Sequence, residues 1–352
     1  MSRFCGAGFS LQGRDSSRPR STETNLGAAG RSAGATSAPW DLAATSGVRS
    51  LRVAILGYGA VAAIHAARMR GRAGVKLTAV YGPNADKARA FAAAHGIATA
   101  TDSLDDALRN ADAAVICSPS ARHAEQAACA LEAGLHVLVE LPACATLAEA
   151  EGLAEIAARQ PQVLQCAHTS RCLEPYRRLG HAIAQGRLGE IQQIHYVRQI
   201  EPRVRSWEDD ALRHHAAHPL DLVRLWCGYV RALACAAHPR IGCCRNLSLT
   251  GELTHGAPVT VAISYTARLP RVLMTVIGSE HTVETDGFTF LKSDLPDLCG
   301  SYDAQRSYES AIEEQDAAFV GCCLGEPGGV AWDETIALVR LVDQFRDLWR
   351  RV

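Results

Sequence analysis

The feature that most constrains the fold is an apolar run, Leu51-Arg52-Val53-Ala54-Ile55-Leu56, that breaks into Gly57-Tyr58-Gly59 and then into an alanine-rich stretch. A short apolar run bounded by glycines predicts a strand buried on both faces. Residues 61–69 predict a helix directly after it. In Gly57-Tyr58-Gly59-Ala60-Val61-Ala62 the first glycine permits the tight turn and the second lets the backbone approach a pyrophosphate. Ala62 is small enough for close helix–strand packing. Gly57, Gly59, Ala60 and Val61 are therefore expected to hold a dinucleotide at the helix N-terminus.

The alternation continues. Strands are predicted over 75–81, 113–117, 136–140 and 163–167, and helices over 85–95, 123–132 and 147–159. This is the pattern of a parallel sheet with crossover helices. Beyond it, 191–199, 259–266 and 273–277 alternate apolar and polar residues between Gly/Pro turns, which predicts a largely antiparallel sheet open on one face. Residues 331–350 predict an amphipathic helix with Ile336, Leu338, Val339, Leu341 and Val342 on its apolar side, able to pack back on the first unit. The fold class is α/β: a Rossmann-like domain over 51–168, then an α+β domain over 169–352 for substrate binding and oligomerisation. Residues 1–50, rich in Ser, Gly, Ala, Thr and Arg with only Asp15, Glu23 and Asp41 as acids, lack apolar periodicity and read as a disordered tail. The same composition fits a transit peptide.

Charge and cysteine content exclude several classes. There are 36 basic and 37 acidic residues, with Lys76, Lys87 and Lys292 as the only lysines. That balance speaks against a nucleic-acid partner. No apolar stretch is long enough for a membrane span. The 13 cysteines include no C-x-x-C, so free thiols and a reducing, cytoplasmic setting are expected.

At the tip of the second strand stands Tyr81-Gly82-Pro83-Asn84, with no acid before Asp86. A carboxylate there would bind the ribose 2′-hydroxyl of NAD. Its absence favours NADP as cofactor, with NAD as the alternative.

Further motifs carry a family resemblance. Ser118-Pro119 with His123, Glu140-Leu141-Pro142, His214-His215-Ala216-Ala217-His218-Pro219-Leu220-Asp221 and Leu225-Trp226-Cys227-Gly228 together resemble the Gfo/Idh/MocA oxidoreductases over residues 51–350. The resemblance implies that Tyr81, Ser118, Pro119, His123, Glu140 and Pro142 help bind the cofactor. It also implies a small-molecule substrate and a homodimer or homotetramer. Two positions depart from the family: its catalytic Lys is Leu141 here, and the first Asp of its second motif is His214. A leucine cannot serve as acid or base. Either activity is lost, leaving a cofactor-binding sensor, or histidines carry the proton. Arg205-Ser206-Trp207-Glu208-Asp209, Ala167-His168-Thr169 with Arg171, and Glu313-x-Gln315-Asp316-x-x-Phe319 are similar to the 4-carboxy-2-hydroxymuconate-6-semialdehyde dehydrogenase branch. That branch oxidises a carboxylated cyclic hemiacetal to a lactone with NADP. Sugar or inositol dehydrogenases, or reductases, are the alternative.

Removing hydride from a hemiacetal carbon needs a base for its hydroxyl proton, and histidine suits neutrality. His218 matches the family's catalytic His and is the expected base. His214, one helical turn earlier, is expected on the same face, whereas His215 points away and reads as structural. Arg171 and Arg205 are expected to clamp substrate carboxylates. His168 is expected to line the pocket, and Asp221 to support His218 or the helix. Trp207 reads equally as core or substrate wall. The His214/His218 spacing lacks the Glu and third ligand of a zinc site, so no metal is expected. Cys117 and Cys144 are conceivable nucleophiles, but no partnered base accompanies either, and buried structural thiols are the better reading.

Overall fold

A computed structural model of the protein describes residues 50–202 and 210–351. The described residues form two sheets. The first contains β1 (Leu51–Leu56), β2 (Val75–Tyr81), β3 (Thr99–Thr101), β4 (Ala113–Ile116), β5 (His136–Glu140) and β6 (Leu164–Ala167). Its order is β3-β2-β1-β4-β5-β6, parallel throughout. The order reverses at β1/β4, so the crevice at their C-terminal ends is the site that such a sheet offers a ligand. The crossovers carry α1 (Ala60–Arg70), α2 (Ala85–His95), α3 (Leu104–Leu108), α4 (His123–Glu132) and α5 (Leu147–Ala157). Local chemistry sets the helix ends. Asn84 caps α2 by accepting from the Lys87 N–H, and left-handed Gly96 closes it. Thr146 and Glu149 form a reciprocal capping box on α5.

After α6 (Glu174–Ala184) the chain enters the second sheet with β7 (Ile191–Gln199). Following α7 (Ala217–Cys227) come β8 (Val230–His238), β9 (Asn246–Leu253), β10 (Pro258–Ser264), β11 (Arg271–Gly278), β12 (Thr282–Thr285), β13 (Phe290–Ser293) and β14 (Gly300–Ser301). The order is β14-β13-β12-β11-β7-β10-β9-β8. Its pairings are antiparallel except that β7 runs parallel to β10. The inward residues of β7, Ile194, Tyr196 and Arg198, are buried, while those between them are not. The alternation expected of a half-covered sheet is thus present.

Two long helices, α8 (Ala304–Cys323) and α9 (Trp332–Arg351), complete the described chain. Both return to the first sheet. Phe319 and Val320 of α8 join the core of Val53, Ile55 and Met69. Trp332 of α9 donates its indole N–H to the Ala150 carbonyl of α5 at 2.8 Å. No helix among the described residues is long and apolar enough to cross a membrane.

Candidate active site

The phosphate cradle follows from its glycines. Gly57 has φ +119°, and a Cβ there would sit 2.6 Å from the Cys117 carbonyl oxygen. Only glycine lets β1 turn this tightly beside the end of β4. At Gly59 a Cβ would meet nothing within 4 Å, so open space lies before the N-terminus of α1. That helix has no side-chain cap and no acid in its first turn. Its first N–H groups are thus left for an anionic ligand, and the residues present fit a dinucleotide pyrophosphate. At the β2 tip the Tyr58 ring lies against Gly82, where a Cβ would be 2.1 Å from Tyr58 Cε1. The amide oxygen of Asn84 is committed to the α2 cap.

On the other side of the crevice, His123 is buried and bridges two strand-end loops. Its Nδ1 is 2.9 Å from the Pro142 carbonyl and its Nε2 2.8 Å from the Ser118 carbonyl. The sequence marked it as a cofactor ligand; its ring is instead spent on shaping the loops. Ser118 Oγ donates to Gln126 at 2.7 Å. The Leu141–Pro142 bond is cis. Leu141 is buried beside Cys144, Cys166 and Leu338, away from any acid–base role.

Glu140 pairs in register with Ala167, so the turn after β6 stands beside the end of β5. That turn, Thr169–Cys172, brings in the second motif: Ser170 Oγ is 3.2 Å from His218 Nδ1. His218 is half-buried at the start of α7. Its pKa is pushed well below the ordinary value, first by burial and then by the charges of His214 and Arg198, with Asp221 opposing. It is thus a neutral imidazole at pH 7, able to accept a proton.

Three expectations need correction here. First, Leu212–Ala216 winds as a π-turn rather than an α-helix. Asp210 accepts from the Leu212, Arg213 and Cys244 N–H groups and anchors its start. The wider turn draws His215 into the cluster instead of pointing it away. Its ring stacks on His214 at 4.1 Å, lies 6.4 Å from His218, and its Nδ1 is 2.6 Å from the Tyr265 hydroxyl. His214 and His218 lie 5.9 Å apart. Second, the Arg171 fork closes on the chain itself, donating to both oxygens of Asp221 at 2.8 and 2.6 Å. A bidentate pair of this kind leaves that fork unavailable as a substrate clamp. Third, Asp221 serves His168 and Arg171 rather than His218: its Oδ2 is 3.0 Å from His168 Nδ1. Burial would raise the Asp221 pKa, but the charges of His168 and Arg171 hold it well below the usual carboxylate range. His168 is buried between Asp221 and Thr335, 3.1 Å from the Thr335 hydroxyl, rather than lining the pocket. Arg205 and Trp207 lie outside the described residues.

Other groups escaped the sequence reading. Arg198, buried on β7, reaches His218 electrostatically. His65, buried on α1, lies between Asp316 and Glu140. Burial would lower its pKa, but those two carboxylates raise it to about 10. The available signal was a lone polar residue inside the apolar run Ala62–Ala67, which a helix tolerates in a core only when paired. The thiols are poor nucleophiles: burial pushes Cys117 well up and Cys144 to about 12. Among the described residues no group of three or more His, Cys, Asp or Glu is placed to hold a metal ion.

Residues 51–168 match the profile of the "Oxidoreductase family, NAD-binding Rossmann fold", and residues 176–284 match the "GFO/IDH/MocA C-terminal domain". The chain belongs to the Gfo/Idh/MocA oxidoreductase family. Among its relatives, 4-carboxy-2-hydroxymuconate-6-semialdehyde dehydrogenase of Sphingobium sp. (strain NBRC 103272 / SYK-6) is 29% identical over 61% of this chain and 72% of that protein. UDP-N-acetylglucosamine 3-dehydrogenase of Acidithiobacillus ferrooxidans is 27% identical over 67% of this chain and 74% of its own length. The fold matches the WlbA dehydrogenase from Bordetella pertussis, solved with NADH and UDP-GlcNAcA. The TM-score is 0.76 at 19% identity, covering 86% of this chain and 96% of that one. Members of the Gfo/Idh/MocA family like these are NAD(P)-dependent dehydrogenases acting on CH–OH groups, and this chain is an enzyme of that kind.

Proposed function

We propose that the protein oxidises a small cyclic hemiacetal bearing a carboxylate to a lactone, with NADP as the preferred acceptor and His218 as the base. The observation that carries this reading is the place of His218: half-buried, with its Nδ1 3.2 Å from Ser170 Oγ in the turn that follows β6. With Nδ1–H donating to Ser170 Oγ, Nε2 presents the lone pair that takes the hemiacetal hydroxyl proton. His214 and His215, stacked beside it, line the path by which that proton leaves. The bound nicotinamide supplies the hydride acceptor. Gly57, Gly59, Ala60 and Val61 would hold its pyrophosphate, and Glu140 and Pro142 would border the nicotinamide half. Arg198, buried near His218, takes over the carboxylate-binding role first assigned to Arg171, together with Arg205. The β2 tip offers no carboxylate to repel a 2′-phosphate, and Asn84 is occupied by its cap, which supports NADP.

A second reading has its own support. Arg171 is closed on Asp221, which removes one cation from carboxylate recognition and favours a neutral sugar or inositol. The two are separated by following absorbance of the reduced cofactor across carboxylated hemiacetals, free sugars and inositols, with NADP and with NAD. Turnover of the carboxylated lactols, lost in His218→Gln, is the expected result. Turnover confined to neutral polyols would replace the first reading with the second. Cofactor binding without any turnover would point to a sensor.

A further inference from the structure

No proton or hydride step of the dehydrogenation uses His65, yet its ring is completely buried and joins three elements. His65 comes from α1, the helix behind the phosphate cradle, Glu140 ends β5, and Asp316 belongs to α8. Nε2 lies 2.9 Å from Glu140 Oε1, and Nδ1 lies 2.8 Å from Asp316 Oδ1. The His65 and Asp316 side chains are 0% and 1% exposed, whereas Glu140 retains 18%. The row is therefore sealed at one end and open at the other. Its open end directly precedes Leu141–Pro142 at the C-terminal edge of the sheet. In a sheet of this order the adenosine half of a dinucleotide belongs to the β2 side of the crevice. The nicotinamide half then belongs over β4 and β5, on the side of Glu140. That ring is a cation when oxidised and neutral when reduced. One imidazole ring is thus shared by two carboxyl groups, and burial pushes that of Asp316, whose Oδ2 has no hydrogen-bond partner among the described residues, up against the pull of His65.

We propose that His65 is a positioning residue that fixes the Glu140 carboxylate and tempers its charge, and so sets how strongly the site prefers oxidised over reduced nicotinamide. A bare carboxylate at this edge would hold the cationic form too tightly and oppose hydride acceptance. The imidazolium offsets that pull while keeping the carboxylate in place. This rests on a nicotinamide dinucleotide occupying the β1/β4 crevice, and it is independent of the substrate.

The test needs no turnover. Dissociation constants for the oxidised and the reduced cofactor are measured by titration calorimetry on the full chain, as wild type, Glu140→Gln and His65→Gln. Glu140→Gln should cut the preference for the oxidised form by roughly tenfold, the scale of one unit charge acting across a few ångströms when screened as in bulk water. His65→Gln should move the ratio the other way. Should His65→Gln fail to fold, Glu140→Gln still decides, because its side chain is partly exposed and its loss leaves His65 paired with Asp316. An unchanged ratio in Glu140→Gln, or equal weakening of both forms, overturns the proposal while leaving the nicotinamide reading intact. Binding of neither form by the wild type overturns both.

Discussion

His65, bonded to Glu140 at the end of β5, and His218, bonded to Ser170 in the turn after β6, stand near neighbouring strand ends, and their surroundings drive them to opposite charge states. Burial lowers the pKa of each. Around His65 two carboxylates outweigh burial and lift it to about 10. Around His218 the charge of Arg198, and that of His214 whenever it is protonated, add to burial. The difference teaches that the residue type alone does not assign a role. A histidine between carboxylates is a permanent cation suited to holding charge, and one among cations is a neutral base suited to taking a proton. Asp221 keeps the two regimes apart. Its carboxylate is shared with Arg171 and His168, and its pull on His218 does not outweigh burial there as Asp316 and Glu140 outweigh it at His65.

The largest expected effect is therefore at Asp221. Asp221→Ala would leave the buried His168 without its anion and half-buried Arg171 with only Glu334 at 3.5 Å, and cost about 3–5 kcal/mol, read from denaturant unfolding. A loss under about 1 kcal/mol, the worth of an exposed ion pair, would break the idea that this side neutralises its own cations. Next is His218→Gln, which removes the base and should lower kcat/KM by about 10²–10⁴-fold with cofactor affinity unchanged. Full activity in that variant would remove His218 from the chemistry.

A pH series sharpens the other side of the comparison. Folded His65 keeps its proton to about pH 10, but in the unfolded chain it gives it up near 6.5. Its stabilisation is complete below pH 6.5 and is lost as pH rises towards 10. Thermal unfolding should thus show a falling Tm across that window, flattened in His65→Gln. A wild-type Tm that rises there would contradict a charged His65. The smallest pH shift is expected from Arg198→Gln, whose loss of a carboxylate contact would raise KM separately. Since burial is the main cause of the depressed His218 pKa, removing the Arg198 charge should shift the acid limb of kcat/KM upward only modestly, by about one pH unit or less. A downward shift would show that Arg198 does not act on His218 as a like charge.

Much of the first sheet was legible because strands buried on both faces must be mostly apolar runs, as in β1, β4 and β5, while β2 shows an exposed Lys76 among Leu77, Ala79 and Val80. The edge strand β3, only Thr99–Thr101, carries no such run. The phosphate cradle was legible because only glycine satisfies φ +119° at Gly57. The His cluster was read with the wrong winding. An α-helical wheel separates His215 from His214, and the π-turn that unites them is anchored by Asp210 through the Cys244 N–H, a contact made by tertiary folding. Arg171 was legible as an important cation, but its partner was not, because Asp221 lies on a different element. His65 was passed over because periodicity treats a histidine within an alanine-rich helix as unremarkable, and its two carboxylates come from β5 and α8.

The most direct test is an NMR titration of histidine Cε1–H resonances in the apo protein, with His65 and His218 assigned from the His65→Gln and His218→Gln variants. The account predicts that His218 takes up no proton until well below pH 6.5, while His65 stays protonated up to about pH 10. His218 titrating at or above 6.5 would contradict its role as the neutral base.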